Sequence, residues 1–275
     1  MISHCGIFLK GLIFLKRLLL VSFILVFLTS CNFKTVSKMQ ASVEKDYSAF
    51  DNKCIGWGFR RTTDGAEFTK NQHEIMNKYN CIYQGNNKEK VLYLTFDEGY
   101  ENGYTSVILD TLREKNVPAA FFVTGDYVKS SPELVKRMAK EGHIIGNHTL
   151  SHPSVPSLNE KQIEEELHQL DRLIYSVCKK NTKYFRPPKG EYSERTLKIT
   201  SDIGYTNVFW SFAYVDWNNN VSPQKAEESI KKAFHNGTVL LLHAVSRGNA
   251  EALSKIIDIA KREGFKFKSL DEYKK

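Results

Sequence analysis

From Val91 onward, short apolar runs rich in β-branched and aromatic residues alternate with stretches of helical period, and this alternation leaves few folds open. The runs lie at 91–96 (VLYLTF), 119–124 (AAFFVT), 143–147, 184–186, 205–212 (YTNVFWSF), 238–242 (TVLLL) and 265–270. Helical periods fall between them, near 104–115, 132–141, 160–179, 193–203, 223–235 and 250–263. Ser131-Pro132 supplies an N-cap and a first-turn proline for one helix, and Gly142 follows its far end. Such alternation predicts parallel strands covered by helices, and about seven units admit either a barrel or an open doubly wound sheet. No glycine-rich phosphate loop follows the first run, which disfavours a nucleotide-binding version. The 275 residues are 41% apolar and 25% charged, which excludes a collagen-like, disordered or multi-span membrane chain.

The amino terminus has its own signature. Lys10, Lys16 and Arg17 precede the apolar run Leu18 to Leu28, the layout of a secretory signal, and the run falls short of the roughly 20 residues that a bilayer core requires. It ends in Leu28-Thr29-Ser30-Cys31, which resembles the bacterial lipobox, so Cys31 is the expected lipidation site. Two acyl chains there anchor stably where one is marginal. The expectation is a signal peptide at 1–30 and a lipid-anchored tether at 31–49, on an exported protein held at the outer face of the cell membrane. An uncleaved anchor or a soluble secreted product is the plainer alternative. Residues 50–88 carry Trp57, Phe59, Phe68, Tyr79 and Tyr83, enough to dock on the main domain at 89–275 but not to fold alone. Cys54 and Cys81 flank a short segment in a compartment that permits a disulfide, and the pairing stays open; Cys178 reads as a small buried residue. The net charge of +8 includes no basic block interleaved with aromatics, so nucleic acid is not an expected partner, and a mildly basic surface suits an anionic one such as a cell wall.

Chemistry-bearing residues collect at the ends of the runs. Asp97 and Glu98 end the first, His148 the third and Arg186 the fourth; Asp216 follows the fifth and His243 ends the sixth. In a parallel α/β fold these ends open on one face, where active sites sit. His148 and His152 are spaced i, i+4, which on a helical turn places both rings on one side as ligands of a single metal. Alone, such a pair is more often a surface feature; beside a carboxylate pair at another strand end it favours zinc or a neighbouring divalent ion. Asp97 and Glu98, adjacent on a strand, point in different directions and can take different tasks, or are simply two solvated acids. Arg186, held by prolines in FRPPKG, either pairs with a carboxylate in the mouth or lies on the surface. His243 follows an apolar strand and is a proton donor or a satisfied core histidine. Asp216 can hold that ring, and Trp217 either stacks on sugar or packs in the core.

Five segments together resemble the polysaccharide deacetylase (NodB homology) domain of carbohydrate esterase family 4: TFDEG at 95–99, HTLSHP at 148–153, RPPKG at 186–190, DW at 216–217 and LLLH at 240–243. WGFRR at 57–61, TFDEGYENGYT at 95–105 and HAVSRGNAEAL at 243–253 are similar, more narrowly, to the sporulation N-acetylmuramic acid deacetylases that serve muramic δ-lactam formation in spore cortex. The resemblance implies a distorted (β/α) barrel of about seven parallel strands with an N-terminal extension, its groove at the strand ends. It implies hydrolysis of an acetamide on peptidoglycan glycan strands, with one divalent metal ion, zinc, held by His148, His152 and Glu98. Asp97 would be the base, oriented by Arg186, and His243 the general acid, tuned by Asp216. Leu240 and Leu242 would lie beside the acetyl pocket. The family usually carries a second aspartate where this chain has Glu98, whose extra methylene moves the carboxylate, so a water could take that position. Trp217, Tyr192, Lys189 and Arg247 are further candidate substrate contacts, the last and Lys189 as cations for a freed lactyl carboxylate. That substrate has lost its stem peptide, which implies an upstream muramoyl-alanine amidase and, in this subgroup, a place in the space around the forespore. The competing expectations are an N-acetylglucosamine or chitooligosaccharide deacetylase, and a catalytically dead wall-binding lipoprotein suggested by Glu98.

Overall fold

Each of the seven apolar runs contributes a strand to one parallel sheet in the computed structural model, which describes residues 45–63, 65–217 and 221–274. The sheet order is Thr238–His243, Val91–Glu98, Ala119–Val123, Ile144–Asn147, Tyr184–Phe185, Thr206–Asn207, with Lys266–Phe267 beside the start of Val91–Glu98. The run at 205–212 keeps the ladder only at Thr206–Asn207 and then bends away. Ile82 inserts beside it, its amide bonding the Asn207 carbonyl at 2.8 Å while the Phe209 amide bonds its own carbonyl at 2.7 Å. Beyond that point the Ser211 amide reaches the Val239 carbonyl at 3.0 Å, and the Leu241 amide reaches Phe212 at 2.8 Å. This segment thus crosses from one edge of the sheet toward the other, and the sheet curls into a distorted barrel.

Strand alternation sorts the side chains into two layers. Leu92, Leu94, Phe96, Phe121, Val123, Leu240 and Leu242 face outward, packed with Ile108, Leu109 and Leu112 of the Thr105–Lys115 helix and Leu253, Ile256 and Ile257 of the Arg247–Arg262 helix. Each large side chain so buried contributes roughly 1.5–3 kcal/mol. Val91, Tyr93, Ala120, Phe122, Tyr184, Val208 and Val239 face inward. Helices follow the expected periods, with Asn159 and Gln162 forming a reciprocal cap on Glu160–Cys178 and Ser246 capping Arg247–Arg262 directly after His243. Two helices, Lys70–Lys78 and Gly125–Ser130, were not legible as periods.

Residues 1–44, including the expected signal peptide and Cys31, lie outside the described residues. Tyr47, expected within the tether, is instead buried in a cluster with Val155, Ile163, Leu167 and Phe185, and Tyr47–Lys275 form one compact unit. The extension is built into that unit. Trp57 stacks on Phe68 and packs against Phe209, while its Nε1–H donates to the Trp210 carbonyl at 2.8 Å and its amide to Gly190 at 2.8 Å. Cys54 is exposed and Cys81 buried, and no disulfide joins them. Cys178 is half-buried.

Because Trp57 joins the extension to the barrel, Trp57→Ala is expected to cost about 3–5 kcal/mol of folding stability in a denaturant titration. A loss below 1 kcal/mol would mean that the extension is only loosely attached.

Candidate active site

At the carboxyl ends of the strands the inward-facing positions turn polar. Thr95 and Asp97 continue the inner face of Val91–Glu98, and Arg186 follows Tyr184–Phe185. Arg186 is fully buried and spends its donors on Asp97 Oδ1 at 2.6 Å, Thr95 Oγ1 at 2.9 Å and the Val208 carbonyl at 3.2 Å. Its guanidinium lies 4.1 Å from the centre of the Phe122 ring and 5.7 Å from Trp210. Burial pushes the Asp97 carboxyl up, but the charges of Arg186, His148 and His243 outweigh it and hold Asp97 below the usual carboxylate range.

His243 sits on the neighbouring strand, in register with Asp97. Its Nδ1–H donates to Asp216 Oδ1 at 2.7 Å, and its amide donates to Asp216 Oδ2 at 2.8 Å. Asp216 is buried, and it also accepts from Asn249 Nδ2 at 2.6 Å. These bonds leave His243 Nε2 free toward the mouth. Burial pulls the imidazole down, yet the bond to Asp216 and its charge, with that of Asp97, raise it overall above the ordinary histidine value.

His148 and His152 meet, though not on a helix. The segment after Ile144–Asn147 is a loop in which Thr149 and His152 adopt φ of 67° and 59°. The Asn147 side chain accepts from the Thr149 amide at 2.9 Å, and Thr149 Oγ1 accepts from the His152 amide at 2.9 Å. That turn brings the two rings to 4.9 Å, edge to face. His148 Nδ1–H donates to the Arg186 carbonyl at 2.7 Å, which fixes the tautomer and leaves Nε2 facing Asp97 Oδ2, 3.6 Å away. Burial lowers both imidazoles, His148 to about 4, which favours the neutral form that can ligate a metal. The donor set thus fits a divalent ion at the two rings.

The third expected ligand does not join them. Glu98 takes the parity of Leu92, Leu94 and Phe96 and points to the helix side, fully buried, with neither carboxylate oxygen hydrogen-bonded. Burial, then Glu101 and Asp97, raise it well above the usual range. Among the described residues no three His, Cys, Asp or Glu side chains enclose a metal position. The remaining ligand positions would fall to water or substrate.

Asp97, His148, His152, Lys189, Trp217 and His243 border one cavity of about 620 Å³. Trp217 is half exposed and packs edge-on against His243 at 5.1 Å, so it is a wall of the mouth and not a core residue. Four sequence expectations are corrected here. Leu240 and Leu242 face the helices, and Leu241, of opposite parity, lines the cavity in their place. Tyr192 is buried with Trp57 and Phe209 beneath the extension. Arg247 lies outside the cavity, paired with Glu251 at 2.6 Å. The sequence reading missed Arg61, Trp210 and Tyr214 in the lining and Asn249 behind Asp216. Asn249 lies one turn into the helix after His243, a position that a periodicity search assigns to packing.

Comparison with known proteins agrees with this geometry. The sequence profile described as polysaccharide deacetylase matches residues 84–208. The chain is 43% identical over 247 residues to the peptidoglycan-N-acetylmuramic acid deacetylase PdaA of Bacillus subtilis, covering 88% of this chain and 94% of that protein. It belongs to the polysaccharide deacetylase family. A solved structure of Bacillus subtilis PdaA, a family 4 carbohydrate esterase, superposes with a TM-score of 0.79 at 45% identity, covering 81% of this chain and 97% of that one. A family 4 carbohydrate esterase from Bacillus anthracis gives a TM-score of 0.71 at 46% identity, covering 82% and 98%. A peptidoglycan-N-acetylglucosamine deacetylase of Bacillus cereus is 34% identical, covering 70% of this chain and 71% of its own.

Two predictions test this deacetylase site. Asp216→Asn keeps an acceptor for the His243 ring but removes the charge, so the His243 titration followed by NMR moves to lower pH; an unmoved titration contradicts the assignment. Glu98→Gln leaves the bound-metal stoichiometry unchanged while His148→Ala lowers it, as measured by elemental analysis after dialysis. Loss of metal in the glutamine variant would put Glu98 back in the ligand set.

Proposed function

We propose that this chain hydrolyses the N-acetyl group of N-acetylmuramic acid in peptidoglycan, a step toward muramic δ-lactam in spore cortex. The observation that carries the reading is the pairing of two devices on neighbouring strands of one cavity: a carboxylate hydrogen-bonded by the buried Arg186 and an imidazole hydrogen-bonded to the buried Asp216. The muramic sugar is favoured because the similarity to PdaA spans nearly the whole of both chains.

Asp97 Oδ2 accepts the proton of the attacking water while Arg186 holds Oδ1. His243 Nε2–H protonates the sugar nitrogen as the C–N bond breaks, because an amine anion is too poor a leaving group. Acetate and a free amino sugar leave, and the proton taken by Asp97 returns to solvent. A divalent ion at His148 and His152, which we take to be zinc, supplies polarisation of the acetamide carbonyl and acidification of the water. Trp217 offers its face to the sugar ring, Leu241 borders the acetyl end, and Lys189, held at φ 58° in the cavity wall, supplies a cation for the lactyl carboxylate. A free lactyl group requires a prior amidase that removes the stem peptide. Export through the N-terminal signal and lipidation at Cys31 would place the enzyme on the outer face of the membrane, beside its glycan.

Purified protein given peptide-free glycan strands is expected to release acetate and leave amines on muramic residues, read by mass spectrometry of the digested strand. Chelation abolishes the release and a divalent ion restores it, and His243→Ala lowers kcat by about 10²–10⁴-fold. Amines confined to glucosamine would replace the muramic reading with the glucosamine one.

A further inference from the structure

The catalytic cavity has a basic neighbour. A second cleft of about 350 Å³ lies between the hairpin of Arg60–Thr62 and Gly65–Glu67 and the end of the Pro223–Lys231 helix. Lys231, Lys232, His235 and Arg61 border it, over a floor that includes Phe59 and Phe212. Among the described residues no carboxylate lines this cleft, and no salt bridge involves Arg61, Lys231 or Lys232. Among the described residues, then, Lys231 and Lys232 meet no counter-charge within the cleft.

The two cavities share a wall. Arg61 borders both, and the consecutive residues Phe212 and Ala213 border one each. Arg61 is fixed in that wall: its guanidinium bonds the Ala213 carbonyl and lies 5.2 Å from the centre of the Phe212 ring. A chain long enough to pass over the wall would place one residue at Asp97 and His243 and another at the lysines.

We propose that this cleft is an accessory subsite that binds a carboxylate on a neighbouring residue of the glycan strand, with Lys231 and Lys232 as its cations and Arg61 as the bridge from the catalytic cavity. The inference rests on the glycan reading above and adds to it that the N-terminal extension takes part in substrate binding. An acidic glycan is favoured over another polyanion because the cleft shares the Arg61 wall with the catalytic cavity and contains aromatic floor as well as charge. Contacts of this kind strengthen binding at low salt and weaken as salt screens them.

The test titrates wild-type protein and Lys231→Gln/Lys232→Gln by calorimetry with peptide-free peptidoglycan strands and with the same strands after methyl esterification. The expected result is a fall in affinity of about 5–10-fold in the double variant for the acidic strands only, with no change for the esters and with unchanged turnover of a short neutral acetylated acceptor. Equal affinity of both proteins for the acidic strands, or an equal loss on the esters, overturns the subsite. So does lysine-dependent binding to phosphatidylglycerol vesicles without any effect on glycan, which would make the cleft a membrane contact. Mass spectrometry of the sugar deacetylated by the wild type is run in parallel. If that sugar is not muramic acid, the functional reading fails while the binding comparison still decides the cleft.

Discussion

The buried pair between Arg186 and Asp97 is the constraint around which the barrel is arranged. A guanidinium with no exposure inside a sheet costs several kcal/mol in lost hydration unless its donors are met. Here they are met by a carboxylate, a hydroxyl and backbone carbonyls, and the planar face is covered by Phe122 and Trp210. The Arg186 carbonyl in turn accepts from His148, so the residue that keeps Asp97 ionised also sets the tautomer of a metal-competent imidazole. Removing Arg186 would disturb charge, packing and ligand orientation together.

Opposite this pair, His243 and Asp216 form its complement. One device favours the deprotonated form of a base and the other the protonated form of an acid, and they stand on adjacent strands in register. Coulombic coupling across the mouth raises His243 and lowers Asp97, so each makes the other fitter for its proposed task.

Much of this was legible in the sequence because strand ends are punctuated by polar residues after apolar runs. The seven strands, most helices and the convergence of Asp97, His148, Arg186, Asp216 and His243 followed from that pattern. What failed was side-chain direction. Period-2 alternation settles it: Thr95 and Asp97 face inward, so Glu98 faces the helices, and His243 facing the mouth forces Leu241 inward and Leu240 outward. The His148–His152 spacing suggested a helical turn, whereas two left-handed residues in a loop bring the rings together. Arg61 was hidden for a different reason. It belongs to a short exposed hairpin whose contact with the barrel depends on Trp57 docking, a long-range event that no local period records.

The most direct test of the account is a carboxyl-carbon NMR titration of Asp97 in the metal-free wild-type protein, assigned against Asp97→Asn. The account predicts that this buried carboxyl stays deprotonated from neutral pH down through the usual carboxylate range, held there by Arg186. A resonance that takes up its proton between about pH 5 and 8, as burial without adequate charge compensation would produce, would contradict it.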